Sequence, residues 1–129
     1  MSDKEKYEME FEVKSSTAVL YNMISTPSGL SEWFADDVNI KDDVFSFFWN
    51  GATEEAKLLT KKKGESIKFQ WMDDVEDGLK TYFEMSIKVD DLTNDVALMI
   101  TDFAEEDELD EAKRLWENQI NDLKMVIGS

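Results

Sequence analysis

Residues 107–127 read DELDEAKRLWENQINDLKMVI, and the spacing of their apolar side chains decides the fold. Apolar residues fall at 109, 112, 115, 116, 120, 123, 126 and 127. Gaps of three and four keep one face of a helix apolar over about five turns. Asp107 is the expected N-cap, Asp110 and Glu111 suit the positive end of the helix dipole, and Gly128 suits the residue past its end. A helix with one apolar face has to bury that face against another element.

Upstream, the period changes from helical spacing to two. Tyr7, Met9, Phe11 and Val13 alternate with Glu8, Glu10 and Glu12, a half-buried strand with a charged outer face. Ser15 or Ser16 caps a short helix through Ile24 that carries Val19, Leu20, Met23 and Ile24 on one face. Thr26-Pro27 starts a second short helix, with Leu30, Trp33 and Phe34, expected to end near Asp36. Strands are predicted over 38–40 and 44–49, the latter closed by Asn50-Gly51, a favoured hairpin pair. Residues 54–62 pair back and Gly64-Glu65 turns again. Ile67, Phe69 and Trp71 then alternate with Lys68 and Gln70. An acidic loop over 73–78 leads to a strand over 82–89, where Phe83, Met85, Ile87 and Val89 share a face. Residues 92–95 turn into the last strand, 96–103. Short turns between successive strands favour an antiparallel meander.

The expected class is therefore α+β: a curved antiparallel sheet of about six or seven strands, two short helices, and one long C-terminal helix packed across the sheet. A curved sheet gripping a helix leaves a gap where the two surfaces diverge, a common place for apolar ligands.

Three stretches carry a resemblance. Thr26-Pro27-Ser28-Gly29-Leu30-Ser31-Glu32-Trp33-Phe34 is similar to a Thr-Pro-x-x-Leu-x-x-Trp-Trp/Phe helix, and Ile67-Lys68-Phe69-Gln70-Trp71 to a strand ending in Phe-x-Trp. Leu115-Trp116-Glu117-Asn118-Gln119-Ile120-Asn121-Asp122-Leu123 is similar to a closing Gly-Trp-x-x-x-Leu-x-x-Leu. Together they resemble the START-like (SRPBCC, helix-grip) superfamily of pollen allergens, polyketide cyclases and lipid-transfer domains. Within it, the chain looks most like bacterial homologues of the heat-shock ATPase activator. It departs from that pattern at Leu115, where the family has Gly, and at Lys41-Asp42-Asp43-Val44-Phe45, where the family starts a strand with Gly-Gly. No catalytic residue is carried over by the resemblance.

Composition prunes the chemistry. The chain has 129 residues, a length that fits one domain over 1–129. With no His and no Cys it holds no Ser-His-Asp triad, Cys nucleophile, zinc finger or disulfide. Thirty acidic against 14 basic residues give a net charge of −16, which repels phosphate backbones and anionic lipid surfaces, so nucleic acid is not an expected partner. The longest apolar run, 96–100, falls far short of the roughly 18 residues that span a bilayer. MSDKEK at the start has no apolar h-region, so no secretory signal is expected and the location is expected to be cytoplasmic. No cofactor and no metal are called for, and no sign of an oligomeric state is present. Without His, no side chain has an ordinary pKa between about pH 6 and 8, so stability should be nearly flat there.

Several features have a plain structural explanation beside a functional one. Asp73, Asp77, Gly78 and Glu84 fall at calcium-loop positions one, five, six and twelve, but Val75 at position three offers no ligand and the flanks read as strands. A solvated hairpin loop is expected. Seven of the ten residues over 102–111 are acidic, which suits a solvated loop and a first helical turn better than a dock for a basic partner. Lys61-Lys62-Lys63 is expected at an exposed strand end. Asp102 shares a strand face with Leu98 and Ile100; buried, it would be a general base with a raised pKa, but a strand-end position reaching water is expected. Gln119 lies between Trp116 and Leu123 on the helix. Any one of Trp33, Trp49, Trp71 and Trp116 is first of all a core residue. Trp71 and Trp116 have the strongest claim to a cavity, because the resemblance places them on the facing sheet and helix.

The first functional reading is a module that binds a small apolar or amphipathic ligand, lipid included, in a cavity lined by Phe69, Trp71, Phe83, Met85, Trp116, Gln119 and Ile120. A cyclase- or hydratase-type enzyme is the second reading, disfavoured by the missing His and Cys. The third is an interaction protein, comparable to the chaperone activators, with a filled core. Seven Met, four Trp, three Tyr and eight Phe are enough large side chains to fill it.

Overall fold

Alternating apolar and polar residues build seven strands, all antiparallel, in one sheet of order β1-β7-β6-β5-β4-β3-β2. The structure is a computed structural model and describes residues 4–128. Strand β1 (Lys4–Val13) is followed by helices α1 (Thr17–Ser25) and α2 (Pro27–Leu30). The meander then runs through β2 (Asp37–Lys41), β3 (Val44–Trp49), β4 (Ala52–Lys62) and β5 (Ser66–Trp71). A short helix, α3 (Met72–Glu76), precedes β6 (Phe83–Val89) and β7 (Val96–Glu105). A 3-10 turn, Glu106–Glu108, leads into α4 (Leu109–Ile127). The first strand returns to the sheet beside the last, Lys4 opposite Glu105 and Val13 opposite Val96.

Local chemistry explains the short elements. The Ser16 hydroxyl caps α1 by accepting from the Val19 amide at 3.1 Å, and the Thr26 hydroxyl caps α2 by accepting from the Gly29 amide at 2.9 Å. Pro27 occupies the first turn of α2. Helix α2 lies so close to α1 that a Cβ on Gly29 would run into the Asn22 carbonyl and lie 2.8 Å from the Met23 Cα. Asn50 and Gly51 both have positive φ, as a two-residue hairpin turn between Trp49 and Ala52 requires. Between Lys41 and Val44 the same turn falls on Asp42 and Asp43, with φ of 50° and 65°. This turn is thus left-handed without a glycine in it.

Three expectations are corrected. The segment over 73–78 is not a loop, because Met72–Glu76 forms α3, closed by Asp77. Asp107 does not cap the long helix. It lies in the 3-10 turn, and α4 starts at Leu109 with no side-chain cap bond. Helix α2 stops at Leu30, and the Leu30 carbonyl then takes the Phe34 and Ala35 amides in a tight turn. Gly128 ends α4 in the left-handed conformation, as predicted.

Helix α4 lies on the apolar face of the sheet. Trp116, Ile120 and Leu123 are buried, while Leu115, Met125 and Val126 stay exposed. Beneath α4, Phe69, Phe83, Met85, Leu98 and Ile100 have no exposed surface. Truncating Trp116 to Ala should cost about 3–5 kcal/mol in chemical denaturation. A loss below about 1 kcal/mol would make α4 peripheral to the core. Asp43→Gly should raise stability by about 1 kcal/mol, since glycine adopts positive φ without the Cβ penalty. A loss of stability would mean that the Asp43 side chain contributes more than its backbone costs.

Candidate functional site: an aromatic cleft beside the long helix

Two carbonyl or carboxylate acceptors organise the indoles at one end of the sheet. The Phe34 carbonyl, in the turn after α2, accepts from Trp49 Nε1 at 2.7 Å and from Gln119 Nε2 at 3.1 Å, tying β3 and α4 to one peptide. The Asp102 carboxylate on β7 accepts from Trp116 Nε1 at 2.9 Å and from the Tyr7 hydroxyl at 3.3 Å, both on Oδ2, while Oδ1 takes the Phe103 amide at 2.7 Å. Asp102 is therefore not at the strand end, and it is half-buried beside the cleft. Strand β7 continues to Glu105, and the carboxyl lies between β1 and α4. Burial raises its pKa above the ordinary carboxylate value, with the bonds from Trp116, Phe103 and Tyr7 opposing that shift. Burial first, and then the charge of Asp102, push the Tyr7 phenol up as well.

Between these anchors a cleft of about 790 Å³ opens to solvent on one side. Trp49, Trp71, Met72, Leu115 and Trp116 form its apolar walls, and Asp102 and Gln119 lie among its polar groups. Trp49 and Trp71 stand 6.3 Å apart with their planes tilted by 56°. On the side of α3, Lys4 Nζ binds both carboxylate oxygens of the buried Asp74, at 3.0 and 3.2 Å, and the Thr81 hydroxyl donates to the same carboxylate.

Of the residues singled out from sequence, Trp71, Trp116 and Gln119 meet at this cleft. Phe69, Phe83, Met85 and Ile120 lie fully buried in the core. Phe83 stacks on Phe69 at 5.0 Å and on Trp71 at 4.8 Å, so they form the layer on which the cleft rests. Phe34, Leu115, Lys4 and Asp74 were not read from sequence as site residues, and Trp49 was weighed there first of all as core. Phe34 carried a signal as the end of the motif helix, and Leu115 as the departure from the family's Gly. The bond between Lys4 and Asp74 joins residues 70 positions apart, which no local pattern reveals. Asp73 and Glu84 fall in a helix and a strand, so the calcium-loop spacing does not correspond to a loop. At the end of β7 and on the 3-10 turn, Glu105, Asp107 and Glu108 each bring a carboxylate oxygen within 4.8 Å of the others, and a hydrogen bond with Glu105 pushes the exposed Glu108 up.

A START-like superfamily domain matches the chain over residues 1–129. The chain belongs to the START-like superfamily. No curated protein matches it. Among solved structures, the solution structure of BfR322 from Bacteroides fragilis is 36% identical, with 98% of this chain and 92% of that one covered and a TM-score of 0.67. The solution structure of the Aha1 dimer from Colwellia psychrerythraea has a TM-score of 0.80 at 17% identity, covering 95% and 96% of the two chains. A Bacillus thuringiensis protein has a TM-score of 0.79 at 12% identity, covering 97% and 100%. The last two share the fold alone. Among the described residues, no helix of this START-like protein is long and apolar enough to cross a membrane.

The raised pKa of Asp102 has a signed consequence. Its folded-state value exceeds the unfolded one, so the group contributes most to stability below the ordinary carboxylate value. That contribution is lost as pH rises through the folded value. Denaturation of the parent and of Asp102→Asn, from about pH 4 upward, should show the difference moving in the variant's favour, then levelling off. A difference moving the other way would mean that Asp102 is better stabilised as the anion than burial allows.

Proposed function

We propose that this START-like chain is a binding module that takes a small amphipathic molecule in the cleft beside α4. The apolar body of the ligand lies against Trp49, Trp71 and Trp116, and its polar part reaches the groups among them. The observation that carries this reading is the pairing of a 790 Å³ opening with indole walls and a few convergent polar groups, the usual make-up of a small-molecule site. Asp102 supports binding over a cyclase- or hydratase-type reaction. Its carboxylate is held by three donors and serves to position the Trp116 indole.

A second reading, an interaction protein with a filled core, is favoured by the complete burial of Phe69, Phe83, Met85 and Ile120 under the helix. A panel of long-chain amines, fatty acids, sterols and planar aromatics separates the two by Trp fluorescence. At least one class should quench the parent, and Trp71→Ala should weaken that ligand about tenfold or more, the loss of one large aromatic contact. Silence across the panel moves the assignment to the interaction protein.

A further inference from the structure

The lining of the cleft is strongly biased in charge: six carboxylates against a single ammonium, that of Lys4. Lys4 is already bound by both oxygens of Asp74. Glu54, Glu55, Asp73 and Glu76 are exposed on the lining. One of these carboxylates is placed where a sheet of this kind ordinarily puts an apolar residue. Along β4, Ala52, Glu54, Ala56 and Leu58 occupy one face, because side chains alternate along a strand. Their partners across the sheet are aromatic: Trp49 opposite Ala52, Phe47 opposite Glu54, Trp71 and Phe45 opposite Ala56, and Phe69 opposite Leu58. Glu54 therefore belongs to the aromatic face, between Ala52 and Ala56, which stand opposite Trp49 and Trp71.

We infer that the ligand of this cleft is an organic cation, an amine or quaternary ammonium carried on an apolar body. The inference rests on the small-molecule reading above and names the class of molecule. Indole faces attract a desolvated cation through their quadrupole, and more strongly than other rings. The apolar walls limit screening, so the field of the nearby carboxylates is focused into the opening, and the net charge of −16 adds to it. A fatty acid or other anion would meet the same walls with its charge opposed by the exposed carboxylates Glu54, Glu55, Asp73 and Glu76. The geometry accounts for both halves of such a ligand: Trp49, Trp71 and Trp116 for the apolar body and the cation face, Glu54 and the rim for the charge.

The test uses three probes with one tail and different heads: octyltrimethylammonium, 1-octanol and octanoate. Binding is followed by the indole N–H signals in proton–nitrogen NMR. Trp49, Trp71 and Trp116 report the cleft, and Trp33, whose indole is bonded to the Met23 carbonyl at 2.9 Å away from this lining, reports the rest of the protein. Octyltrimethylammonium should shift the three cleft indoles and bind about tenfold or more tighter than either other probe. Glu54→Gln, a conservative change at an exposed position, should reduce that advantage about threefold or more and leave 1-octanol binding unchanged. If 1-octanol or octanoate binds as tightly as the cation at the same indoles, the cleft binds small molecules and the cation preference is wrong. If none of the three moves those indoles, the small-molecule reading fails and the inference with it. If the cation shifts Trp33 equally, or its advantage survives Glu54→Gln intact, the attraction belongs to the acidic surface as a whole and the inference is overturned.

Discussion

A single carboxylate ties the long helix to the sheet. Asp102 holds the Trp116 indole of α4 and the Tyr7 hydroxyl of β1 while standing on β7, so the last two major elements and the first strand share one acceptor. A helix laid on an apolar sheet can slide and rotate with little change in buried area, because hydrophobic burial is not directional. A hydrogen bond from a buried indole is directional and costly to leave unmade. The Asp102–Trp116 bond therefore sets where along the sheet α4 sits and which way the Trp116 ring faces. The burial that raises the Asp102 pKa is the cost of that positioning, and the three donors around the carboxyl offset part of it.

The cleft exists because this anchor acts at one end and the Phe34 carbonyl at the other. Trp49 and Gln119 both donate to that carbonyl, which pulls β3 and α4 toward the turn after α2. Across the sheet, the small side chains of Ala52 and Ala56 stand opposite Trp49 and Trp71. Below them the layer of Phe69, Phe83 and Met85 closes the core completely. Filled core and open cleft are thus two levels of one packing arrangement: sealed rings beneath, indole walls with polar groups above.

Period alone made most of the architecture legible. Alternation from Tyr7 to Val13 and from Ile67 to Trp71, three-and-four spacing across Leu109–Ile127, Thr26-Pro27 and Asn50-Gly51 each encode local geometry in neighbouring residues, and each has its counterpart in the structure. What stayed hidden depends on distant partners. Asp102 looked like a strand end because a carboxylate next to Phe103 and an acidic run gives no local sign of a Trp fourteen residues on. Helix α3 looked like a loop because its five residues are mostly acidic, and a single helical turn has no periodicity to show. The turn at Asp42-Asp43 was visible only as missing glycines; the left-handed backbone forms there because aspartate tolerates it better than most residues.

The same limit explains why the site was half legible. Trp71, Trp116 and Gln119 share the face of their elements that meets the partner surface, and a pattern of faces is what sequence encodes. The line between core and cleft along those faces is not part of that pattern. Phe83 and Trp71 stack at 4.8 Å, yet Phe83 is sealed in the core while Trp71, the last residue of β5, lines the opening. Glu54 carries the same lesson for chemistry. Read in its own strand it is one of two adjacent glutamates on a polar stretch; read across the sheet it is the charged member of an aromatic face. The charge of the site is therefore a property of strand register, and it appears only once β3 and β5 are placed on either side of β4.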